Sequence, residues 1–258
     1  MSDETIRVEH RGRVTVITID RQPQRNSLDK HAQDALQRAF DAFAEDADQW
    51  VAILTGAGDI FSAGHDLRTP APEGPEGLPK NGFGGITARF DLDKPVIAAV
   101  NGPAVGGGFE MVLACDIVIA AERASFALPE VKVGLTALAG GILRLPRLIG
   151  QQRALGMMLT GKRVSAAEGH ALGFVTEVVP DGTALEAALR WADELLAAAP
   201  LAVRATKRVA LEYANTPLAD AMIPQWALPQ VRAAQTSQDA IEGPRAFVER
   251  RAPIWAGR

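Results

Sequence analysis

The feature that most constrains this chain is a glycine-dense junction, Asn101-Gly102-Pro103-Ala104-Val105-Gly106-Gly107-Gly108-Phe109-Glu110. An apolar run, Pro95 to Val100, precedes it at the length of a buried strand, and Phe109 to Cys115 can continue as a buried helix. A strand, a glycine turn and a helix start bring unsatisfied backbone N–H groups together, with the positive end of the helix dipole behind them. Such a point attracts negative charge, either a phosphate or an oxyanion that develops during a reaction. The plainer alternative is a tight strand-to-helix corner that needs glycine only for its backbone freedom.

The phosphate motifs fail in detail. Gly102 and Gly107 have P-loop spacing, but Gly108 and Phe109 stand where Lys and Ser or Thr belong. A dinucleotide fingerprint could begin at Gly106-x-Gly108, with Glu130 about where a ribose-binding acid would stand. Met111 replaces its third glycine, however, and Glu110 in the first helical turn would face the pyrophosphate. Beside a transient oxyanion a carboxylate is instead wanted, as an acid or a base.

The 258 residues, 47% hydrophobic and 22% charged, suffice for a sizeable core in one large α/β domain or a domain with an appendage. A net charge of −4 argues against a nucleic-acid or anionic-membrane partner. The single cysteine, Cys115, lies in an apolar stretch and reads as a small core residue in a reducing compartment. Met1 to Glu4 lacks the basic-then-apolar pattern of a signal peptide, and no uncharged apolar run reaches membrane-spanning length. A cytoplasmic protein is the expectation. His10, His31, His65 and His170 show no ligand spacing, so no metal site is expected.

Residues 5–20 read as a hairpin turning at Arg11-Gly12. Asn26 or Ser27 can cap a helix whose inner side carries Ala32, Leu36, Ala39, Phe40 and Phe43. Trp50 to Leu54 reads as a buried strand, and a second sharp turn, Phe61-Ser62-Ala63-Gly64-His65-Asp66-Leu67, follows soon after. Residues 70–79 hold four prolines and two glycines and cannot form regular structure, which predicts a mobile surface loop. Strands are expected at 117–119, 125–128 and 174–179, with helices at 140–148, 151–159 and 166–171. From Thr183 the pattern turns all-helical, with helices near 183–198, 201–213, 217–234 and 239–250. The expected division is an α/β core over 1–195 and a helical region over 196–258.

Ala63 and Gly107 each occupy a turn after a strand and can each aim a backbone N–H at a shared point, as an oxyanion hole requires. Ser62 is no nucleophile elbow, because Gly-x-Ser-x-Gly fails at Ile60; Ser62 and His65 read as turn residues. Glu110 in an apolar helix is either a catalytic carboxylate or half of a salt bridge or dipole contact. Glu130 after Pro129 is either a second acid at the mouth of a buried segment or an exposed helix-start residue. Two carboxylates near an oxyanion hole suit protonation at carbon together with activation of water.

Over nearly the whole chain these residues resemble the crotonase (enoyl-CoA hydratase/isomerase) superfamily. Phe61 to Leu67 looks like its first oxyanion segment and Asn101 to Glu110 like its second. Cys115-Asp116, Pro129-Glu130-Val131, Val133-Gly134-Leu135, Ala139-Gly140-Gly141 to Gly150, and Asp239 to Pro253 fall in the family's order. The resemblance implies an α/β fold, a crotonase-like spiral of ββα units with a C-terminal all-helical region for oligomerisation. It also implies homotrimers or homohexamers and an acyl-CoA thioester substrate, with coenzyme A belonging to the substrate and no separate cofactor. Carried over, Ala63 and Gly107 match the oxyanion donors, and Glu110 and Glu130 match the two acids of the hydratases. Arg25, Ser27, Leu28, Gly64, His65, Asp66, Leu67 and Gly106 fall at positions that contact coenzyme A or the acyl group; a plain surface arginine is the other reading of Arg25. Thr136-Ala137-Leu138 departs from the proline-glycine stretch of many hydratases. The implied activity is hydration of an enoyl-CoA; dehydration of a carnitinyl- or hydroxyacyl-CoA and enoyl-CoA isomerisation are the alternatives. A nicotinamide-dependent oxidoreductase and an RNA-binding relative are the readings from other classes, the second disfavoured by the chain's acidity.

Overall fold

The computed structural model describes residues 5–70 and 74–258, so the N-terminal tetrapeptide and residues 71–73 of the proline-rich stretch lie outside the described residues. The chain divides into two compact units, Met1–Phe90 with Val96–Arg190 and Asp91–Pro95 with Trp191–Arg258.

In the first unit, β1 (Ile6–Arg11) and β2 (Val14–Ile19) form the hairpin, with Ile6 opposite Ile19. α1 (Lys30–Glu45) buries Ala32, Leu36, Ala39, Phe40 and Phe43, as its periodicity predicts. Its cap is Asp29, not Asn26 or Ser27: the Asp29 carboxylate accepts the Ala32 N–H at 2.9 Å. Asn26 is otherwise engaged. It sits at φ 54 and its side-chain amide donates to Ala57 O at 2.9 Å and Ile60 O at 2.7 Å.

There follow β3 (Val51–Gly56), β4 (Val96–Val100), β5 (Ala104–Val105), α2 (Gly107–Ala114), β6 (Ile117–Ala121) and β7 (Ser125–Ala127). Then come α3 (Gly141–Ile149), α4 (Gln151–Thr160), β8 (Val164–Ser165), α5 (Ala166–Leu172), β9 (Glu177–Val179) and α6 (Ala184–Leu196). The main sheet has the order β1-β2-β3-β4-β6-β9; only the β1–β2 pair is antiparallel. β3 and β4 are buried at every residue, which explains their unbroken apolar character without alternation. A small second sheet, β5-β7-β8, stacks the ends of the segments that carry the candidate site. β5 and β8 are two residues long and leave no periodicity to read in the sequence.

Residues 81–90 are fastened to α1. Gln37 Nε2 donates to Asn81 Oδ1 at 2.8 Å, Arg89 donates to Gly85 O at 2.9 Å, and Arg89 also pairs with Asp41. In the described part of the proline-rich stretch, Pro75–Gly77 forms a single 3₁₀ turn.

The second unit contains α7 (Pro200–Glu212), α8 (Leu218–Ala221), α9 (Pro229–Gln235) and α10 (Asp239–Glu249). The helix expected over 217–234 is broken into α8, a 3₁₀ turn at Pro224–Ala227 and α9, because Pro224 and Pro229 each remove an N–H and restart the helix. Arg204 pairs with Asp93 at 2.7 Å, and the Asp239 carboxylate accepts the N–H groups of Ala256 and Gly257 at 2.7 and 3.0 Å. Leu218, Ile223, Trp226, Phe247 and Ile254 remain exposed.

Candidate active site

Backbone pairing brings the candidate residues together in three adjacent rungs. Phe61 and Ser62 N–H groups donate to Pro103 O at 3.1 and 3.3 Å, and Val105 N–H donates to Ser62 O at 2.9 Å. Gly106 N–H donates to Ala127 O at 2.9 Å. The first turn, the second turn and the stretch that ends in Glu130 therefore lie side by side. Gly108 permits the approach, because any side chain there would collide with Ser62 O. The Ser62 hydroxyl donates to Asn26 O at 2.7 Å and accepts the Gly64 N–H at 3.1 Å, so it holds the turn and is no nucleophile.

Gly107 opens α2, where its N–H has no partner within the helix. The first turn differs from the expectation. Ala63 N–H donates to Arg25 O at 3.0 Å, so it is engaged by the backbone and not open to a ligand. At the next residue the chain swings against the second turn: Gly64 has a φ of +85°, which suits glycine, and its Cβ, if present, would lie 2.7 Å from Gly107 N and 3.3 Å from Gly108 N. The next amide is that of His65, which pairs with Leu28 through its neighbours: Leu28 N–H donates to Gly64 O at 2.7 Å and Asp66 N–H to Leu28 O at 3.1 Å. The His65 N–H itself makes no hydrogen bond among the described residues. The amides of His65 in the first turn and Gly107 in the second are thus both without a backbone partner, and they flank the close approach at Gly64.

Glu110 is 3% exposed on the first turn of α2 and accepts the Gly141 N–H at 2.8 Å. Its hydrogen-bond partner is a backbone amide at the start of α3, not a cation, so the salt-bridge reading fails. Burial pushes its carboxyl up to about 7, the neighbouring Glu130 charge adds to this, and the amides of Gly141 and Ala139 and the Arg144 cation oppose it. Glu130 begins the 3₁₀ turn Glu130–Val133 directly after β7 and Pro129. It is half-buried, and burial raises its carboxyl as well. Its Oε1 faces Gly106, where a Cβ would lie 3.0 Å away, and its Oε2 is buried with no hydrogen-bond partner among the described residues.

The remaining predicted contacts separate into scaffold and surface. Ser27 and Leu28 are buried, and Arg21 donates to Ser27 O. Asp66 is buried beside Arg68 at 2.6 Å, whose guanidinium holds its carboxyl well below the usual range; this is a turn-stabilising pair. Arg25 and Leu67 are exposed at the edge of the site. The His65 ring faces Thr69 O through Nε2 at 3.3 Å, while Nδ1 is buried without a partner. Beside Glu130 a cavity of about 520 Å³ is lined by Leu128, Thr136, Ala137, Ile142 and Met158, so the departure at 136–137 borders the acid. Sequence reasoning missed Asn26, Gly141 and Phe83; the Phe83 ring packs on Gly107, where a Cβ would lie 2.6 Å from it. Only Gly141 carried a signal, as a glycine at a helix start.

The sequence profile of enoyl-CoA hydratase/isomerase matches residues 9–258. The chain belongs to the enoyl-CoA hydratase/isomerase family. A carnitinyl-CoA dehydratase of Salmonella typhi is 43% identical over 260 residues, covering 99% of this chain and 99% of the relative. The crystal structure of enoyl-CoA hydratase from Mycobacterium tuberculosis H37Rv superposes with a TM-score of 0.92 at 39% identity, over 99% of this chain and 100% of that one. A carnitinyl-CoA hydratase from Mycobacterium avium is 42% identical with a TM-score of 0.75, over 100% of both chains. The fold is accordingly the α/β crotonase fold with C-terminal helices. Among the described residues no group of three metal-ligating side chains comes together, and no helix is long and apolar enough to cross a membrane.

Proposed function

We propose that this enzyme is an enoyl-CoA hydratase, a hydro-lyase that adds water across the 2,3 double bond of an enoyl-CoA thioester. One observation carries the reading: two carboxylates raised by burial, Glu110 and Glu130, stand beside the unpaired N–H groups of Gly107 and His65. The two N–H groups hold the thioester oxygen as it gains negative charge. Ionised Glu110 takes a proton from water as the water oxygen bonds to the β-carbon. Protonated Glu130 then gives its proton to the α-carbon and the thioester carbonyl re-forms. One proton enters Glu110 and one leaves Glu130, so the pair needs only a proton exchange with solvent to reset.

Exposed Arg25 suits the phosphates of coenzyme A. No cofactor beyond the coenzyme A of the substrate, and no metal, takes part. The exposed apolar side chains of the helical region over 196–258 support a homotrimer or homohexamer, and the composition suits the cytoplasm.

The test is turnover of a series of trans-2-enoyl-CoAs, followed by loss of the conjugated thioester absorbance, in water labelled with heavy oxygen. Label at the β-carbon supports hydration; movement of the double bond without label would sink the reading in favour of an isomerase. Dehydration of a carnitinyl- or hydroxyacyl-CoA is the second reading, favoured by the 43% identity to a carnitinyl-CoA dehydratase. It uses the same groups in reverse and is separated by comparing kcat/KM for dehydration of carnitinyl-CoA and of plain 3-hydroxyacyl-CoAs.

A further inference from the structure

One charged side chain beside the site has no part in the chemistry above. Arg144, on the first turn of α3, does not point outward. Its guanidinium folds back over Gly140, where any Cβ would collide with it, and Nη2 donates to Thr87 O at 2.7 Å. The same cation lies 5.8 Å from the centre of the Phe90 ring. Thr87 belongs to the segment whose Phe83 ring packs on Gly107, and whose other side is fastened to α1 through Arg89, Asn81 and Gln37. On the near side of Arg144, the α3 start supplies the Gly141 N–H that holds Glu110. One side chain therefore joins the cover of the second turn to the amide that positions the buried carboxylate.

We propose that Arg144 is a positioning residue for the hydration step: it locks residues 83–90 to the start of α3 and presents a fixed positive charge to Glu110. The proposal rests on the reading of Glu110 as the base that activates water. A cation near a buried carboxylate favours its ionised form, the form that reading requires. The charged groups that act on Glu110 are Glu130, which opposes ionisation, and Arg144, which supports it. On Arg144 in turn, burial disfavours the cation most, Glu110 and Cys115 favour it and Arg147 opposes it.

Two variants separate the charge from the anchor. R144Q keeps a donor for Thr87 O and removes the charge; R144K keeps the charge and gives up the planar fork. The acid limb of kcat against pH should move up by roughly half a pH unit in R144Q, about a threefold relative loss at pH 6, and return toward wild type in R144K. Melting temperature against pH gives a second readout that needs no turnover. The part of the profile that disappears in E110Q should shift upward in R144Q, and in the E110Q background R144Q should add no further displacement. R144M carries the same charge comparison where R144Q does not accumulate as folded protein. An unmoved melting profile and acid limb in the uncharged variants, or a lysine variant displaced as far as glutamine, overturns the proposal. A wild type that hydrates no enoyl-CoA, with the melting profile still displaced in R144Q, instead overturns the reading of Glu110 and leaves the role of Arg144 in its ionisation standing.

Discussion

The two glycine turns of the site look alike in sequence, each a short strand followed by small residues, yet they present their donors differently. The second, at Gly106 to Gly108, exposes the N–H that its place at a helix start predicts, because the first amides of any helix lack an internal acceptor. The first, at Phe61 to Leu67, precedes no helix, and its amides are open or engaged according to what the rest of the chain places beside them. Arg25 O, from a left-handed residue at φ 55, captures Ala63; Ser62 Oγ captures Gly64; the next amide, that of His65 beside the second turn, stays open. A donor at a helix start is a property of local structure, whereas a donor in a loop is what remains after tertiary pairing.

The largest expected effects lie beside the second turn, with the acid on α2 and its partner across from it. E110Q and E130Q keep size and remove acid–base function, and each should lower kcat by about 10²–10⁴-fold, with the double variant far from additive because both groups act on one addition. Full hydratase activity in either variant would remove that residue from the mechanism.

The comparison of the turns is tested most directly by replacing single peptide N–H groups with ester oxygens, using α-hydroxy acids delivered at positions 107, 65 and 63. Loss of a donor at 107 or at 65 should cost roughly 10²–10³ in kcat. An ester at 63 should leave kcat within a few-fold and cost about 1 kcal/mol in stability, the worth of its bond to Arg25 O. If position 63 is the sensitive one and 65 is silent, the assignment of the first donor reverses.

A third prediction concerns stability. Glu110 binds its proton more tightly in the folded chain, with a pKa of about 7, than at its ordinary value of 4.5. Folded protein therefore loses stability as pH rises from about 4.5 to about 7 and no further beyond that. At pH 8 E110Q should be the more stable protein by up to about 3 kcal/mol, and the difference should vanish near pH 4. Melting curves across this range check it; an advantage for E110Q that is the same at both ends of the range would assign it to packing instead. A similarly modest effect is expected from S62A, which strips the hydroxyl linking Asn26 O to Gly64 N–H: about 1–2 kcal/mol of stability, read as a lowered melting temperature, with the loss of rate confined to the positioning of the first turn.

Much of this site was legible in advance for identifiable reasons. The strand, turn and helix around Gly107 follow from local chemistry, and Glu110 stands out as a charge within an apolar run. The α1 face follows from its 3.6-residue period, but its cap did not: Asn26, Ser27 and Asp29 are all good caps, and Asn26 is claimed by Ala57 O and Ile60 O across the fold. β5 and β8 are too short for any period to register, although β5, through its pairing with β7 and its bridge to Ser62, aligns the rungs that assemble the site.

The sequence by itself determined the family and most of the longer strands and helices, and it singled out Glu110 and Glu130 as candidate acids, since these rest on local composition and on motifs read along the chain. Only the tertiary structure decided which amide of the first turn stays open, that Glu110 is anchored by Gly141, and that Arg144 turns inward to Thr87. Each is a contest between groups distant in sequence for one hydrogen bond or one buried space, and no local pattern records which of them wins.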